Sequence, residues 1–205
     1  MGLNKTLNDC LAEANGEFIA RMDGDDISLP TRFEKEMETF EHEPQLAVVS
    51  CPMIYFDDNG EWGRGNSIGR EYPAKEWLVK GTIHCHAPAI IRKKVMLEVG
   101  GYTVDPKLLR VEDWHLWIKI YAVGYKGKNL NEPLYRVRDD HNALKRKKFS
   151  TSLNEAYVSL LALKQLNLPY WRAVFSLRPL IVGLLPSAIY SFLHRYKIRL
   201  STLNQ

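Results

Sequence analysis

Gly16-Glu17-Phe18-Ile19-Ala20-Arg21-Met22-Asp23-Gly24-Asp25-Asp26 is a short, mostly apolar run that stops abruptly in acids. Such a run reads as a buried strand that delivers a polar loop at its carboxyl end. Upstream, Leu3, Leu7, Leu11 and Ala14 recur at helical spacing and Asn15-Gly16 supplies a stop, so residues 3–14 read as an amphipathic helix. Downstream, Ser28-Leu29-Pro30 opens a second helix over about 30–42, with Pro in the first turn. Strand side chains repeat every two residues, so Asp23 and Asp25 at a strand end would present two carboxylates to one side. A pair of hard oxygen donors suits Mg²⁺ or Mn²⁺, which commonly share their coordination with substrate phosphates. A solvated acidic turn is the plain alternative. A calcium loop is excluded by counting: Asp23, Asp25 and Glu34 fall on positions 1, 3 and 12, but Ser28 stands where glycine is required. A phosphatase-type nucleophilic Asp23 remains open on this segment.

Further along, the pattern keeps alternating. Residues 46–51, 54–56 and 89–91 read as strands, residues 57–72 as a glycine-rich surface loop, and 75–80 and 93–99 as short helices. Gly100-Gly101 ends the last of these. Residues 112–123 form the strongest helix of the middle region, with Trp114, Trp117, Ile118 and Tyr121 three and four apart. Residues 125–138 are strand-like with a break at Glu132-Pro133, 152–166 read as a helix, and 173–193 are a long apolar stretch. Alternating helices and strands predict an α/β sheet.

Length and composition agree with one domain and an appendage. The chain has 205 residues, 45% apolar and 25% charged, which excludes wholesale disorder and collagen-like repeats. Its net charge of +4 hides an asymmetry: residues 1–140 carry 18 basic and 23 acidic side chains, and 141–205 carry 10 and 1. The expected division is therefore 1–142, an acidic body, and 143–205, a basic and apolar helical region. Three cysteines without a C-x-x-C pair argue against a disulfide framework or a zinc ribbon and favour a reducing, cytoplasmic setting.

A second constellation is Gly100-Gly101-Tyr102 followed by Glu112-Asp113-Trp114-His115-Leu116-Trp117. Two acids at a helix start are commonly partners of the helix dipole; the functional alternative is a general base over a substrate pocket. Trp114 and Trp117 suit core or pocket walls. His84-Cys85-His86 looks like a metal cluster, yet three adjacent strand positions cannot face one ion, so a pocket edge is the better reading.

These motifs occur in one order and separation, and together they resemble family 2 glycosyltransferases of the GT-A fold. The resemblance spans about residues 2–140. It implies a Rossmann-like α/β nucleotide-sugar transferase domain, here lacking its first strands and followed by a helical tail. It also implies a nucleotide-diphospho-sugar donor, a divalent metal on Asp25 and Asp23, and inversion at the anomeric carbon in one displacement. Asp113 matches the family's base, with Glu112 beside it, and Asp23 and Arg21 lie on the donor side. His86 resembles the acceptor-side wall, to which Trp114 and Trp117 are added.

Two departures accompany the likeness. The strands that carry the base pocket in the family would precede this chain, so an N-terminally truncated member, or one completed by a partner chain, is expected. A catalytically inactive remnant that acts at most as a binding module is the alternative. Relatives show Tyr-Arg-x-His at the end of the catalytic region, whereas this chain has Tyr135-Arg136-Val137-Arg138, with His141 three residues on. Arg136 and Arg138 would then hold diphosphate, and His141 would stand in as a metal ligand. The acceptor would be a glycan or a lipid-linked glycan, with peripheral contact at the inner face of the cell membrane through 171–199. Nucleic acid is not an expected partner.

Overall fold

A computed structural model describes residues 2–65, 70–139 and 149–185. His141, the basic run 145–148 and the part of the apolar stretch beyond residue 185 lie outside the described residues.

The leading helix α1 spans Leu3–Glu13 and delivers the chain to β1, Phe18–Ala20. After a turn come β2, Ile27–Ser28, and α2, Arg32–His42. Three strands follow, β3 (Val48–Ser50), β4 (Met53–Asp57) and β5 (Gly60–Gly65). A 3-10 helix at Lys75–Val79 precedes β6, Ile90–Arg92, and α3, Lys93–Glu98. Next come α4 (Glu112–Ala122), β7 (Gly127–Asn129) and β8 (Tyr135–Arg138). The chain continues through α5 (Phe149–Gln165), a 3-10 helix at Tyr170–Ser176 and α6 (Leu177–Gly183).

The strands form two four-stranded sheets, ordered β1-β6-β3-β7 and β2-β8-β4-β5. Alternation of helices and strands predicted an α/β sheet, and the sheets found are mixed in direction. Among the described residues only β3–β7 and β4–β8 run parallel, while β1–β6, β3–β6, β2–β8 and β4–β5 are antiparallel. The stretch 57–72 is also more than a loop. Asp57 and Gly60 close a tight turn, and β5 pairs back along β4, with Trp62 stacked on Tyr55 at 5.2 Å between ring centroids. Its glycines suggested a loop, but Gly65 lets the strand lie against the Tyr55 ring, 3.1–3.4 Å from where a Cβ would stand.

The core gathers around α4. Leu116, Trp117, Ile118 and Ile120 are fully enclosed, with Val48 from β3, Leu78 and Val79 from the 3-10 helix, and Val95 and Met96 from α3. Val158, Ala162 and Leu163 of α5 belong to the same cluster, so α5 packs against the elements that precede it. Removing Trp117 would leave a large hole at the centre, and Trp117→Ala is expected to cost about 3–5 kcal/mol of stability in urea unfolding. On the other side of β3, Arg32 and Glu36 form an ion pair with no exposed side-chain surface, 3.4 Å apart. Burial dominates there and pushes the Glu36 carboxyl up to about 8, against the opposing pull of Arg32.

Gly100-Gly101 stops α3 as its residue types require. Both have positive φ, +72° and +59°, and a Cβ at Gly101 would stand 2.5 Å from the Asn8 amide oxygen. That close approach lets Asn8 bond both ways with Tyr102: its amide donates to the Tyr102 carbonyl and its oxygen accepts from the Tyr102 N–H, each at 2.7 Å. Lys119 of α4 donates to the carbonyls of Val99, at 2.9 Å, and Gly101. The glycine turn is thus clamped between α1 and α4, and it carries Tyr102 to the site described next.

Candidate active site

The strand β1 ends at Ala20, three residues before Asp23, so the acids stand on a turn beyond the strand rather than on its face. The Asp26 N–H donates to the Asp23 carbonyl at 3.2 Å and closes that turn. Asp26 is buried and faces back into the protein. Its carboxylate accepts from the Tyr135 hydroxyl and from the Arg138 backbone N–H, both at 3.0 Å, which ties the acidic turn to β8. Burial raises its pKa against these two bonds. Asp25 is exposed at the tip.

Arg21 bonds Asp23 through one guanidinium nitrogen and donates to His86 Nδ1 at 3.1 Å through the other. A neutral His86 fits this arrangement, with Nδ1 accepting and Nε2–H donating to the Tyr102 hydroxyl at 2.7 Å. Burial and the neighbouring Arg21 hold its pKa down to about 3. Trp117 sets its ring edge-on to both His86 and His84, at 5.9 and 5.4 Å, beneath this network. His84 belongs to the core: Nδ1 donates to the Asn129 side-chain oxygen at 2.7 Å, and Nε2 accepts from the Tyr121 hydroxyl at 2.9 Å.

Across from the acidic turn, α4 begins with Glu112 and Asp113. A cavity of about 460 Å³ lies between them and is lined by Arg21, Asp23, Asp26, His86, Glu112 and Asp113, with Met53 and Val137 as apolar wall. Withdrawal from solvent pushes the Asp113 carboxyl up to about 6; the Trp114 N–H opposes this and Glu112 adds to it. A carboxylate with a pKa near neutrality and an open space before it has the properties of a general base.

Of the residues singled out from sequence, Asp23, Arg21, His86, Glu112 and Asp113 converge on this cavity. Trp114 and Trp117 do not line it. The Trp114 indole N–H donates to the Leu78 carbonyl at 2.7 Å, and the ring walls a neighbouring cavity. Arg136 pairs with Glu61 at 2.7 Å and Arg138 with Asp58 at 2.6 Å; neither lines the cavity, while Val137 between them does. Asp26, Tyr102 and Arg110 were missed. Asp26 reads as one more acid in a polar turn, and nothing local announces its bond to a tyrosine 109 positions away. Tyr102 follows the glycine pair in sequence, and its bond to His86 depends on a contact 16 positions away. For Arg110 a signal exists only in the backbone, whose φ of +65° is rare for a residue with a side chain.

A family model described as glycosyl transferase family 2 matches residues 1–100. EpsE of Bacillus subtilis (strain 168), which carries a glycosyltransferase designation, is 35% identical over 196 residues, covering 96% of this chain and 70% of EpsE. The chain belongs to glycosyltransferase family 2. Another family relative, 28% identical over 152 residues, is named UDP-Gal:alpha-D-GlcNAc-diphosphoundecaprenol beta-1,3-galactosyltransferase of Escherichia coli; 72% of this chain and 53% of that protein are covered. Among solved structures, TarS residues 1–349 of S. aureus in complex with UDP-GlcNAc aligns with a TM-score of 0.57 at 16% identity, over 89% of this chain and 52% of TarS. The mannosyltransferase PcManGT from Pyrobaculum calidifontis, in complex with GDP-Man and Mn²⁺, aligns with a TM-score of 0.52 at 18% identity, over 92% and 57%. The chain thus spans about half the length of these solved structures, whose likeness supports the GT-A-type α/β fold with a helical C-terminal region.

Proposed function

We propose that this family 2 chain transfers a sugar, with inversion and with a divalent cation, from a nucleotide-diphospho-sugar to a glycan or lipid-linked acceptor. The observation that carries this reading is the facing of Asp23 and Asp113 across one cavity, an acidic loop on one wall and a carboxylate of raised pKa on the other. UDP-GlcNAc in TarS and GDP-Man in PcManGT support a nucleotide-sugar donor, and the name of the E. coli relative supports a lipid-linked acceptor.

The donor set fits a hard cation. Carboxylate oxygens of Asp23 and Asp25 suit Mg²⁺ or Mn²⁺, and among the described residues there is no group of three ligating side chains, so diphosphate and water would complete the shell. When bound, such a cation supplies Lewis-acid stabilisation of the charge that develops on a departing diphosphate. Arg21 orients Asp23 through one guanidinium nitrogen while its other nitrogen is anchored on His86. Asp113 takes the proton from the acceptor hydroxyl as that oxygen attacks the anomeric carbon from the face opposite the diphosphate. Glu112 stands next to it and sustains its raised pKa. Arg136 and Arg138 take no part in this reading, since both side chains are committed to the β4–β5 side; His141, as a further ligand, stays with the proposal.

The base sets a pH dependence. Only ionised Asp113 accepts a proton, so with its pKa raised to about 6 the transfer rate should be level above that pH. Below it, the rate should fall roughly tenfold per unit. A pH profile of kcat checks this; a rate that stays level down to pH 4.5 would contradict it. The reading itself is tested by incubating the protein with UDP- and GDP-sugars, Mn²⁺ and glycan or lipid-linked acceptors, with product detected by mass spectrometry and its anomeric configuration by NMR. Neither turnover nor metal-dependent donor binding would leave the inactive-remnant alternative.

No helix among the described residues is long and apolar enough to cross a membrane. Peripheral contact is proposed instead through Tyr170, Trp171, Ile181 and Leu184, which are 64–88% exposed. Flotation with anionic vesicles at low salt should carry the protein upward, and Trp171→Ser with Leu184→Ser should leave it at the bottom.

A further inference from the structure

A second cavity, of about 350 Å³, reaches Asp113 from the other side and shares only Asp113 and Arg110 with the first. Segments far apart in the chain build it: Lys80, Gly81 and Thr82 behind the first 3-10 helix, the start of α4, Glu155 of α5, and Arg178, Pro179 and Val182 of α6. Its charge is unusual for a pocket meant only for a neutral sugar. Lys80, Arg110 and Arg178 line it against the carboxylates of Asp113 and Glu155, a surplus of one positive charge, and none of the three cations forms an ion pair with a described residue. The Lys80 ammonium lies over the Trp77 and Phe175 rings, 4.4 and 4.2 Å from their centroids, an arrangement that fixes the cation without neutralising it. Trp114, held by its bond to Leu78, gives the pocket a flat apolar wall suited to a sugar face.

Resting on the transferase reading, we infer that this cavity is the subsite for a phosphorylated acceptor, whose phosphate or diphosphate is held by Lys80, Arg110 and Arg178 while its hydroxyl reaches Asp113. A concave site with surplus positive charge concentrates anions, and guanidinium groups bind phosphate oxygens through paired, charge-assisted hydrogen bonds. The volume accommodates about one sugar with its phosphates. Ile181 and Leu184, exposed on α6 and just after it, offer an apolar path beside Arg178 for a hydrocarbon chain. The two cavities then have opposite chemistries, an acidic loop for a metal-bound donor and a basic pocket for the acceptor anion, with the base at their junction.

The test is calorimetric titration of the whole chain with inorganic pyrophosphate in EDTA, so that no metal bridges an anion to the acidic loop. Wild-type protein should bind, and Arg178→Ala and Lys80→Ala should each weaken binding about tenfold, the scale of one lost charge-assisted contact. Asp23→Ala should leave it unchanged. Arg178 is exposed, so its variant keeps the fold even if Lys80→Ala loosens the aromatic packing beneath it. Geranyl diphosphate in place of pyrophosphate distinguishes the sources: tighter binding assigns a lipid-linked acceptor, and equal binding a soluble phosphorylated glycan. Absent wild-type binding, or equal affinity in wild type and Arg178→Ala, overturns the proposal. Because no donor or turnover enters the measurement, a chain that binds pyrophosphate here but transfers nothing would fault the transferase reading and leave the subsite standing.

Discussion

Asp113→Asn is expected to lower kcat for sugar transfer by about a hundred- to ten-thousand-fold while leaving donor affinity unchanged, because the amide keeps the shape of the carboxylate and cannot accept a proton. Glu112→Gln should cost far less. Folding offers an internal control. The Asp113 pKa is raised from its ordinary value to about 6, so the folded state favours the protonated form; the stability it contributes is full at low pH and is lost as pH rises through 6. At pH 7 the asparagine variant escapes that loss and should be at least as stable as the wild type. A melting temperature above wild type together with collapsed turnover would separate chemistry from folding. Normal turnover in Asp113→Asn would move the base elsewhere, with Glu112 the first candidate.

The second large effect concerns the acidic turn. Asp23→Ala and Asp25→Ala should each reduce donor affinity in Mn²⁺ by about 10–100-fold or more and abolish its dependence on the metal. The two substitutions differ in what else they disturb. Asp23 also restrains Arg21, and through it the acceptor nitrogen of His86, so its loss should loosen the cavity wall. Asp25 is exposed and makes no side-chain bond to a described residue, so its variant should melt like the wild type. Calorimetry with a nucleotide sugar, with and without Mn²⁺, checks both; unchanged metal-dependent affinity in Asp25→Ala would remove it from the metal site.

The sequence made local events legible and left distant ones hidden. The helix at Leu3–Glu13, the strand at Phe18–Ala20 and the glycine stop before Tyr102 follow from spacing and residue type, because helix periodicity and positive φ are local constraints. The strand β5 was hidden because its glycines, a turn signal by type, serve here for close approach to Tyr55. In the candidate site, the helix start at Glu112 and Asp113 was legible, but that position suits helix-dipole partners as well as a base, and the base reading rested on the family resemblance. Asp26 was not legible, since its role depends on β8 lying beside β2 and presenting Tyr135 and the Arg138 N–H. Arg136 and Arg138 are the converse case. Their residue type suits diphosphate, but strand alternation turns both side chains to Glu61 and Asp58 and gives the cavity Val137. The basic cavity was out of reach for the same reason as Asp26: Lys80 and Arg178 meet only because α5 and α6 fold back beside the first 3-10 helix.

The account depends on the larger cavity being the donor site with Asp113 facing it. Crystals of the protein soaked with Mn²⁺ and either UDP or GDP, measured at an energy where manganese scatters anomalously, would decide this directly. The predicted map has one manganese peak touching the Asp23 and Asp25 carboxylates and the diphosphate, with the diphosphate in the cavity that Asp113 lines from the opposite wall. A diphosphate seated instead against Lys80 and Arg178, or a manganese ion with no contact to either aspartate, would contradict it.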